Sequence, residues 1–411
     1  MGSEWRKTTV GEFCPLAYGK SLPKKKRGSG SYRVYGSNGS VGFHNKPLIE
    51  GPGIVIGRKG TVGTVHYTTQ PFWPIDTTFY VIRAEYRDLR YTYYLLKSLG
   101  LCSMNADSAV PGLNRNDVHA RKIFVPELGE QQAIAHILGS LDDRIELNRR
   151  MNNTLETMAR TIFKSWFVDF DPVRAKVEGR PTGLSDEIAS LFPDSFDDSE
   201  LGEIPKGWKT RSLYDSARFV NGAAYRSSHF TNENDALPII KIAELKNGIS
   251  GQTKFTKTEL DDKYRISNGS LLLSWSGNPD TSIDTFIWCG GPAWLNQHIF
   301  RVLPHKKIEK HFIFYLLKSI RSLLAEIARN KQTTGLGHFT GRDMKQILVV
   351  QPPEDILAMF NNSVGSIFDR WYENLFESKS LASLRDTLLP KLISGELRVP
   401  DADNFVEEAK L

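Results

Sequence analysis

The chain has 411 residues, enough for about two or three domains with cores of their own. At 40% hydrophobic and 24% charged it has the composition of an ordinary globular protein, which excludes a disordered or fibrous chain. It has no apolar run of about eighteen residues and no apolar leader in "MGSEWRKTTV", which excludes a spanning helix and places the chain in the cytoplasm, without a membrane partner. Cys14, Cys102 and Cys289 are odd in number and far apart, which excludes a disulfide framework or a zinc spacing and leaves three reduced thiols.

In chain order, residues 1–125 read as short strands and turns. "GIVIGRKGTVGTVHY" sets β-branched residues between glycines, and "LRYTYYLLKSLG" after it has the apolar spacing of a helix. Within this domain "SLPKKKRGSGSYRVYGSNG" combines four consecutive cations with a Gly/Ser turn. Lys24, Lys25, Lys26 and Arg27 suit phosphates, while Arg33, Tyr35 and Asn38 suit base edges. The cation run also matches a nuclear import signal, although it lies inside a domain and not on a tail. "GRKGTVG" lacks the Lys-Ser/Thr ending of a phosphate loop, so Arg58, Lys59 and Thr61 are candidates for nucleic-acid contact, with a plain β-turn as the alternative. Arg115 is a further candidate.

After "VPELGEQQ" the period changes. Ile134, Leu138, Leu141, Ile145, Asn148, Asn152, Leu155, Ala159, Ile162 and Trp166 recur in steps of four and three. That heptad seam predicts one helix of about 38 residues, roughly 55 Å long. Residues 178–204, rich in Pro, Gly, Ser and acid, read as a surface connector, and residues 126–177 hold the helix before it.

The second half repeats the first. "YLLKS" at Tyr94–Ser98 returns at Tyr315–Ser319, 221 residues on. Trp5 and Gly19 face Trp208 and Gly222 at an offset of 203, and "GSLDDRIELN" faces "GSIFDRWYEN" at 226 with five of ten letters identical. An offset that climbs along the chain means a duplication with insertions in the second copy. Residues 205–351 are therefore a second mixed α/β domain, and residues 352–411 hold a second helix and tail. Its seam runs through Phe360, Val364, Ile367, Trp371, Asn374, Ser378, Leu381, Arg385, Leu388 and Leu392. A heptad seam cannot be buried alone, so the two helices are expected to pair antiparallel, with Asn148 meeting Asn374 and Asn152 meeting Ser378 to fix register. The fold class is α+β with pseudo-two-fold internal symmetry. In the second domain Tyr225, Arg226, Lys241, Gln297, Lys331 and Gln332 are candidate contacts. Trp275, Ser276 and Asn278 in "SWSGNPDTS" stand where the first copy has its "GRKGTVG" cations.

Charge follows the duplication. Residues 1–125 carry 18 Lys and Arg against 8 Asp and Glu, and residues 205–350 carry 21 against 12, so each domain is strongly basic while the whole chain is only +6. Two similar basic domains point to a polyanion with two similar sites, and duplex DNA is such a partner. Catalytic patterns are missing: there is no Asn/Asp-Pro-Pro-aromatic loop for a flipped base, and the nine histidines fall in no metal or triad spacing. Glu244-x-Lys246, after Glu233 and Asp235, leaves open a magnesium-dependent nuclease. A scaffold that binds nucleic acid without reading sequence is the other alternative.

The central "EQQAIAHILGSLDDRIELNRRMNNTLETMARTIFKSWFVDFDPVRA", the closing "SLRDTLLPKLISGELRV", and the segments "YGSNGSVGFHN" and "GRKGTVGT" resemble the specificity subunit of Type I restriction-modification enzymes over essentially the whole chain. The resemblance implies a subunit with no catalysis and no cofactor of its own, whose two target recognition domains each read half of a split double-stranded DNA sequence. It implies paired helices that hold two DNA methyltransferase subunits, with restriction subunits joining that core. S-adenosylmethionine and ATP with magnesium would sit on the partners.

Overall fold

The computed structural model describes residues 5–28, 30–104, 112–332 and 336–399. The chain forms two compact units, Met1–Asn148 with Glu377–Leu411, and Arg149–Phe376. No helix among the described residues is long and apolar enough to cross a membrane.

The first unit holds the first α/β domain. Strand Arg6–Thr9 pairs antiparallel with Lys122–Val125, Arg6 opposite Val125, so the ends of the domain close on each other. A four-stranded sheet runs in the order Ala17–Tyr18, Thr78–Ile82, Gly53–Gly57, Val65–Thr68. A second sheet sets Tyr32–Gly36 between Gly39–His44 and a parallel partner, Phe72–Pro74. Every residue of Gly53–Gly57 is buried, which explains its unbroken Ile-Val-Ile run. Burial also pushes the Cys14 thiol up to about 12 and leaves it inert.

The second unit repeats this plan. Lys209–Ser212 pairs with Leu348–Gln351, Lys209 opposite Gln351, which reproduces the first ladder at the two sequence offsets of 203 and 226. The sheet order Ala217–Asn221, Ile299–Pro304, Leu271–Ser274, Thr285–Ile287 matches the four-stranded sheet of the first copy. The parallel pair recurs in Leu237–Ile240 and Ala293–Leu295. Gly19 and Gly222 occupy one structural position: a Cβ there would lie 2.1 Å from the Ile75 carbonyl oxygen in one copy and 2.2 Å from that of Asn296 in the other. No side chain fits such a gap, so glycine survives in both.

The repeated "YLLKS" has a packing cause. It lies on helix Leu89–Ser98 in one copy and Lys310–Ser319 in the other, and each tyrosine is buried against a long helix. The Tyr94 hydroxyl donates to Asp142 at 2.6 Å, while the Tyr315 ring packs 6.3 Å from that of Phe163.

The long helices are Leu128–Phe167, 40 residues, and Glu354–Ser394, 41 residues. The first ends where Phe170 adopts a left-handed φ of 55°, a strained state for a bulky residue that its burial against Phe196 and Trp208 offsets. The second starts after Pro353 and stops at Gly395, whose φ of 76° suits a C-terminal cap. Pro390 sits in the last turns of the helix, so the break it makes in the backbone ladder leaves few helical residues beyond it.

The helices pair antiparallel within each unit. In the first, Asp142 bonds Arg385 at 2.6 Å and Asn148 donates to Glu377 at 2.9 Å. In the second, Asn152 donates to the Trp371 carbonyl at 3.0 Å and Asn374 donates to Asn152 at 2.8 Å. The expected partners therefore change: Asn374 meets Asn152 and not Asn148, and Asn148 engages Glu377. The pairs 148/374 and 152/378 rise together along both helices, which is a parallel register, whereas antiparallel helices require one number to rise as the other falls. Asn374 is fully buried. Asn374→Ala should lower unfolding free energy by about 1–3 kcal/mol, because it strands the Asn152 amide oxygen. A denaturant titration of N374A, N152A and the double variant checks this: strongly non-additive losses are expected, and simple additivity would sink the pairing.

Residues 178–204, expected as a surface connector, carry secondary structure of their own. Helix Asp186–Leu191 and hairpin Phe196–Ser199/Gly202–Pro205 anchor Phe192 and Ile204 in the core of the second unit. The acids Asp186, Glu187, Asp194, Asp197, Asp198, Glu200 and Glu203 all stay exposed, which accounts for the acidic composition.

Candidate nucleic-acid interface

In the first domain the loop after strand Gly53–Gly57 is fixed by backbone bonds. Arg58 and Lys59 both donate N–H to the Thr77 carbonyl, at 2.9 and 3.1 Å, and the Arg58 carbonyl accepts from Leu113 at 2.9 Å. Gly63, at φ 75°, closes the loop where a Cβ would lie 2.3 Å from the Cys102 nitrogen. The Ser37 hydroxyl donates to the same Thr77 carbonyl at 2.6 Å, and the Thr64 hydroxyl donates to the Ser37 carbonyl. The turn bearing exposed Asn38 is thereby tied to the Arg58 loop, with exposed Lys59 and Thr61 on that loop.

Arg58 and Arg115 converge on one ring. Each guanidinium carbon lies 4.9 Å from the centroid of Tyr18, whose side is half exposed. Arg58 Nη1 also donates to the Asp76 carbonyl at 3.1 Å. Arg115 follows the cap residue Asn114, whose side chain accepts from Asn116 at 2.9 Å. Neither arginine has a carboxylate partner among the described residues. Both cations thus stack on the Tyr18 ring with no acid paired to either among the described residues.

Of the other first-domain candidates, Arg33 and Tyr35 lie on the second sheet and Lys24–Arg27 on a turn before it. Lys24, Lys25 and Lys26 form an exposed single turn, and Arg27, which follows it, donates to the Leu22 carbonyl at 3.0 Å. Arg33 is exposed opposite Phe43. Tyr35 is a correction. Strict alternation would put it outward with Arg33, but the register shifts between Val34 and Tyr35 and turns the ring inward against Phe72, at 5.9 Å.

In the second domain Trp275 occupies the position of Arg58. Its carbonyl accepts from Phe339 at 3.1 Å, as that of Arg58 does from Leu113, and Ser276 pairs with His338 as Lys59 pairs with Gly112. Trp275 Nε1 donates at 2.9 Å to Asn221, the counterpart of Tyr18, and its ring lies among His298, Phe300 and His338. Asn278 spends its amide oxygen on the Asp280 and Thr281 N–H groups, which leaves its NH2 as donor. Lys331 is paired with Asp343 at 2.5 Å, beside exposed Gln332. Arg226 and Lys241 are exposed, and Gln297 is half-buried with its amide 3.3 Å from His298. Tyr225 is half-buried against Trp294, and burial pushes its hydroxyl up to about 12.

Sequence reading missed Tyr18, Asn221, Tyr214, Arg342 and Lys345. Arg342 and Lys345 are exposed and line a cleft with Tyr214, Lys331, Thr340 and Gly341, the Lys345 ammonium standing 5.1 Å from the Tyr214 ring. The signal was available: "LNRNDVH" and "FTGRDMK" are the same capped turn at the offset of 226. The nuclease alternative loses its central carboxylate. Glu244 is buried and accepts from the Lys241 N–H at 3.0 Å and the Thr253 hydroxyl at 3.1 Å, while Glu233 and Asp235 are both paired to Lys257.

Two copies of one α/β domain, with Arg58 and Lys59 on the ladder of one and Trp275 and Ser276 at the same places in the other, together with paired heptad helices, define a duplicated two-domain protein. The sequence matches the family described as "Type I restriction modification DNA specificity domain" over residues 2–157 and 205–380. The chain belongs to that family, and as a specificity subunit it serves DNA recognition and is not itself the catalyst. It is 28% identical over 331 residues to the HindI specificity subunit of Haemophilus influenzae, covering 70% of this chain and 71% of that one. It is 30% identical over 319 residues to the MjaIX specificity subunit of Methanocaldococcus jannaschii, covering 76% and 69%. The fold is similar to the crystal structure of a Type I S subunit from M. genitalium, with a TM-score of 0.60 at 17% identity over 95% of this chain and 96% of that one.

Proposed function

We propose that this subunit reads a bipartite, asymmetric duplex site, with residues 1–125 on one half and 205–351 on the other. The observation that carries this reading is the unlike chemistry at like positions. Tyr18, Arg58, Lys59 and Arg115 in the first domain answer to Asn221, Trp275, Ser276 and Gly341 in the second. Equivalent ladders with such different side chains favour different bases, so the two halves differ in sequence. The surplus cations, among them Lys24–Arg27 in one domain and Arg342 with Lys345 in the other, supply the sequence-independent hold on phosphates.

The paired helices, within residues 126–177 and 352–411, serve as the seat for two DNA methyltransferase subunits, and restriction subunits join through them. S-adenosylmethionine belongs to the methyltransferase, and ATP with magnesium to the partner subunits. The assembly works in the cytoplasm. The test is reconstitution. The isolated chain should transfer no methyl group, and with its methyltransferase subunit it should direct methylation to one split sequence whose halves are unlike. Methyl transfer by the chain alone, or modification at a continuous or palindromic sequence, would overturn the proposal.

A further inference from the structure

We infer that Arg58 is a guanine reader, so that the half-site of the first domain contains a G·C pair recognised through the major-groove edge of its guanine. The inference rests on the proposed role of this domain and specifies what it reads. Three constraints fix Arg58 before any ligand arrives. Its backbone N–H is bonded to Thr77 and its carbonyl to Leu113, at 2.9 Å each. Its guanidinium lies over Tyr18 at 4.9 Å, with Phe79 at 5.8 Å. Nη1 is tied to the Asp76 carbonyl at 3.1 Å.

That last bond engages one donor and leaves the opposite edge, Nε with Nη2, without a partner among the described residues. Two parallel N–H donors in a rigid plane match the N7 and O6 acceptors of guanine and of no other base. The same fork can also hold two phosphate oxygens, but phosphate needs no such fixation, since a flexible cation reaches it from many directions. The chain has cations of that kind in exposed Lys24, Lys25 and Lys26. Arg115, on the same ring, raises the positive potential at the site, which favours the electronegative guanine edge further. Tyr18 is a positioning residue in this arrangement. The second domain has Trp275 in place of the arginine, with its N–H already spent on Asn221, so it offers no such fork.

The experiment measures binding of the full chain, in complex with its methyltransferase subunit, across duplexes randomised in both half-sites. The wild type should require guanine at one position of one half. R58A and R58K should each lose about ten- to hundredfold in preference at that position and leave the other half unchanged. Y18A should weaken the same preference less, and Y18F should restore it. Replacing that guanine by 7-deazaguanine should cost the wild type a similar factor and add nothing to R58K, an arm that needs no foldable alanine variant. Uniform weakening of all sequences by R58A, with the salt slope reduced by about one, would make Arg58 a phosphate contact and end this inference while the split-site reading stands. A wild-type complex with no sequence preference would instead defeat the reading on which it rests.

Discussion

Phe360→Ala should destabilise the second unit by about 3–5 kcal/mol, the largest stability loss expected from a single side chain here. Phe360 is fully buried, and its ring lies within 5.0 Å of Phe167, 5.9 Å of Trp166 and 6.0 Å of Phe163, with Tyr315 at 6.4 Å. One substitution therefore removes the knob that joins the second long helix to the first and to the helix carrying "YLLKS". Rings packed edge-to-face on several sides cannot collapse into the space, so the cavity persists and the upper part of the range applies. With a urea dependence of about 1–3 kcal/mol per molar, the midpoint should fall by roughly 1–5 M. Tryptophan fluorescence reports this directly because Trp166 belongs to the cluster. Phe124→Ala is the control: that ring is 54% exposed on strand Lys122–Val125, and its loss should shift the midpoint by little. Equal shifts for F360A and F124A would mean the aromatic cluster does not hold the unit together.

Much of this architecture was legible in the sequence because it is governed by period and repetition. The heptad seam predicted both long helices because burying one stripe fixes which residues are apolar, and the buried positions Ile134, Leu138, Leu141, Ala159 and Trp166 lie on it. The climbing offset predicted two copies of one domain because equivalent backbone positions need equivalent residues, as at Gly19 and Gly222. What was not legible depends on through-space geometry. Composition marks a segment as polar but does not register that Phe192 and Ile204 anchor residues 178–204 to a core. A bulge that turns Tyr35 inward leaves no trace in a pattern of two, and the pairing of Asn152 with Asn374 depends on helix stagger, which a seam leaves free. The candidate interface was half legible. Cations stand out in a string of letters, whereas Tyr18 becomes a partner of Arg58 and Arg115 only when three distant segments meet.

Replacing residues 205–351 by the corresponding domain of a relative should rewrite one half of the methylated sequence and leave the other half intact. The segment carries its own closure: both strands of the Lys209–Ser212/Leu348–Gln351 ladder lie inside it, so each pair of that ladder travels with the graft, and among the described strands only the Phe196–Pro205 pair crosses the boundary. Its seat on the long helices depends on Phe312 and Tyr315 meeting Phe163 and Phe360, aromatic positions that the donor domain must match. Each wrong base pair costs about 1–3 kcal/mol, so a half-site of three or more altered pairs should lower affinity for the original duplex by at least about a hundredfold. Exchange of residues 1–125 should do the reverse, altering the half that depends on Arg58. Methylome sequencing of a host that carries each chimera with its methyltransferase subunit reads both outcomes at once. If either exchange rewrites both halves together, the domains do not read independently, and the different side chains on their equivalent ladders serve some end other than sequence choice.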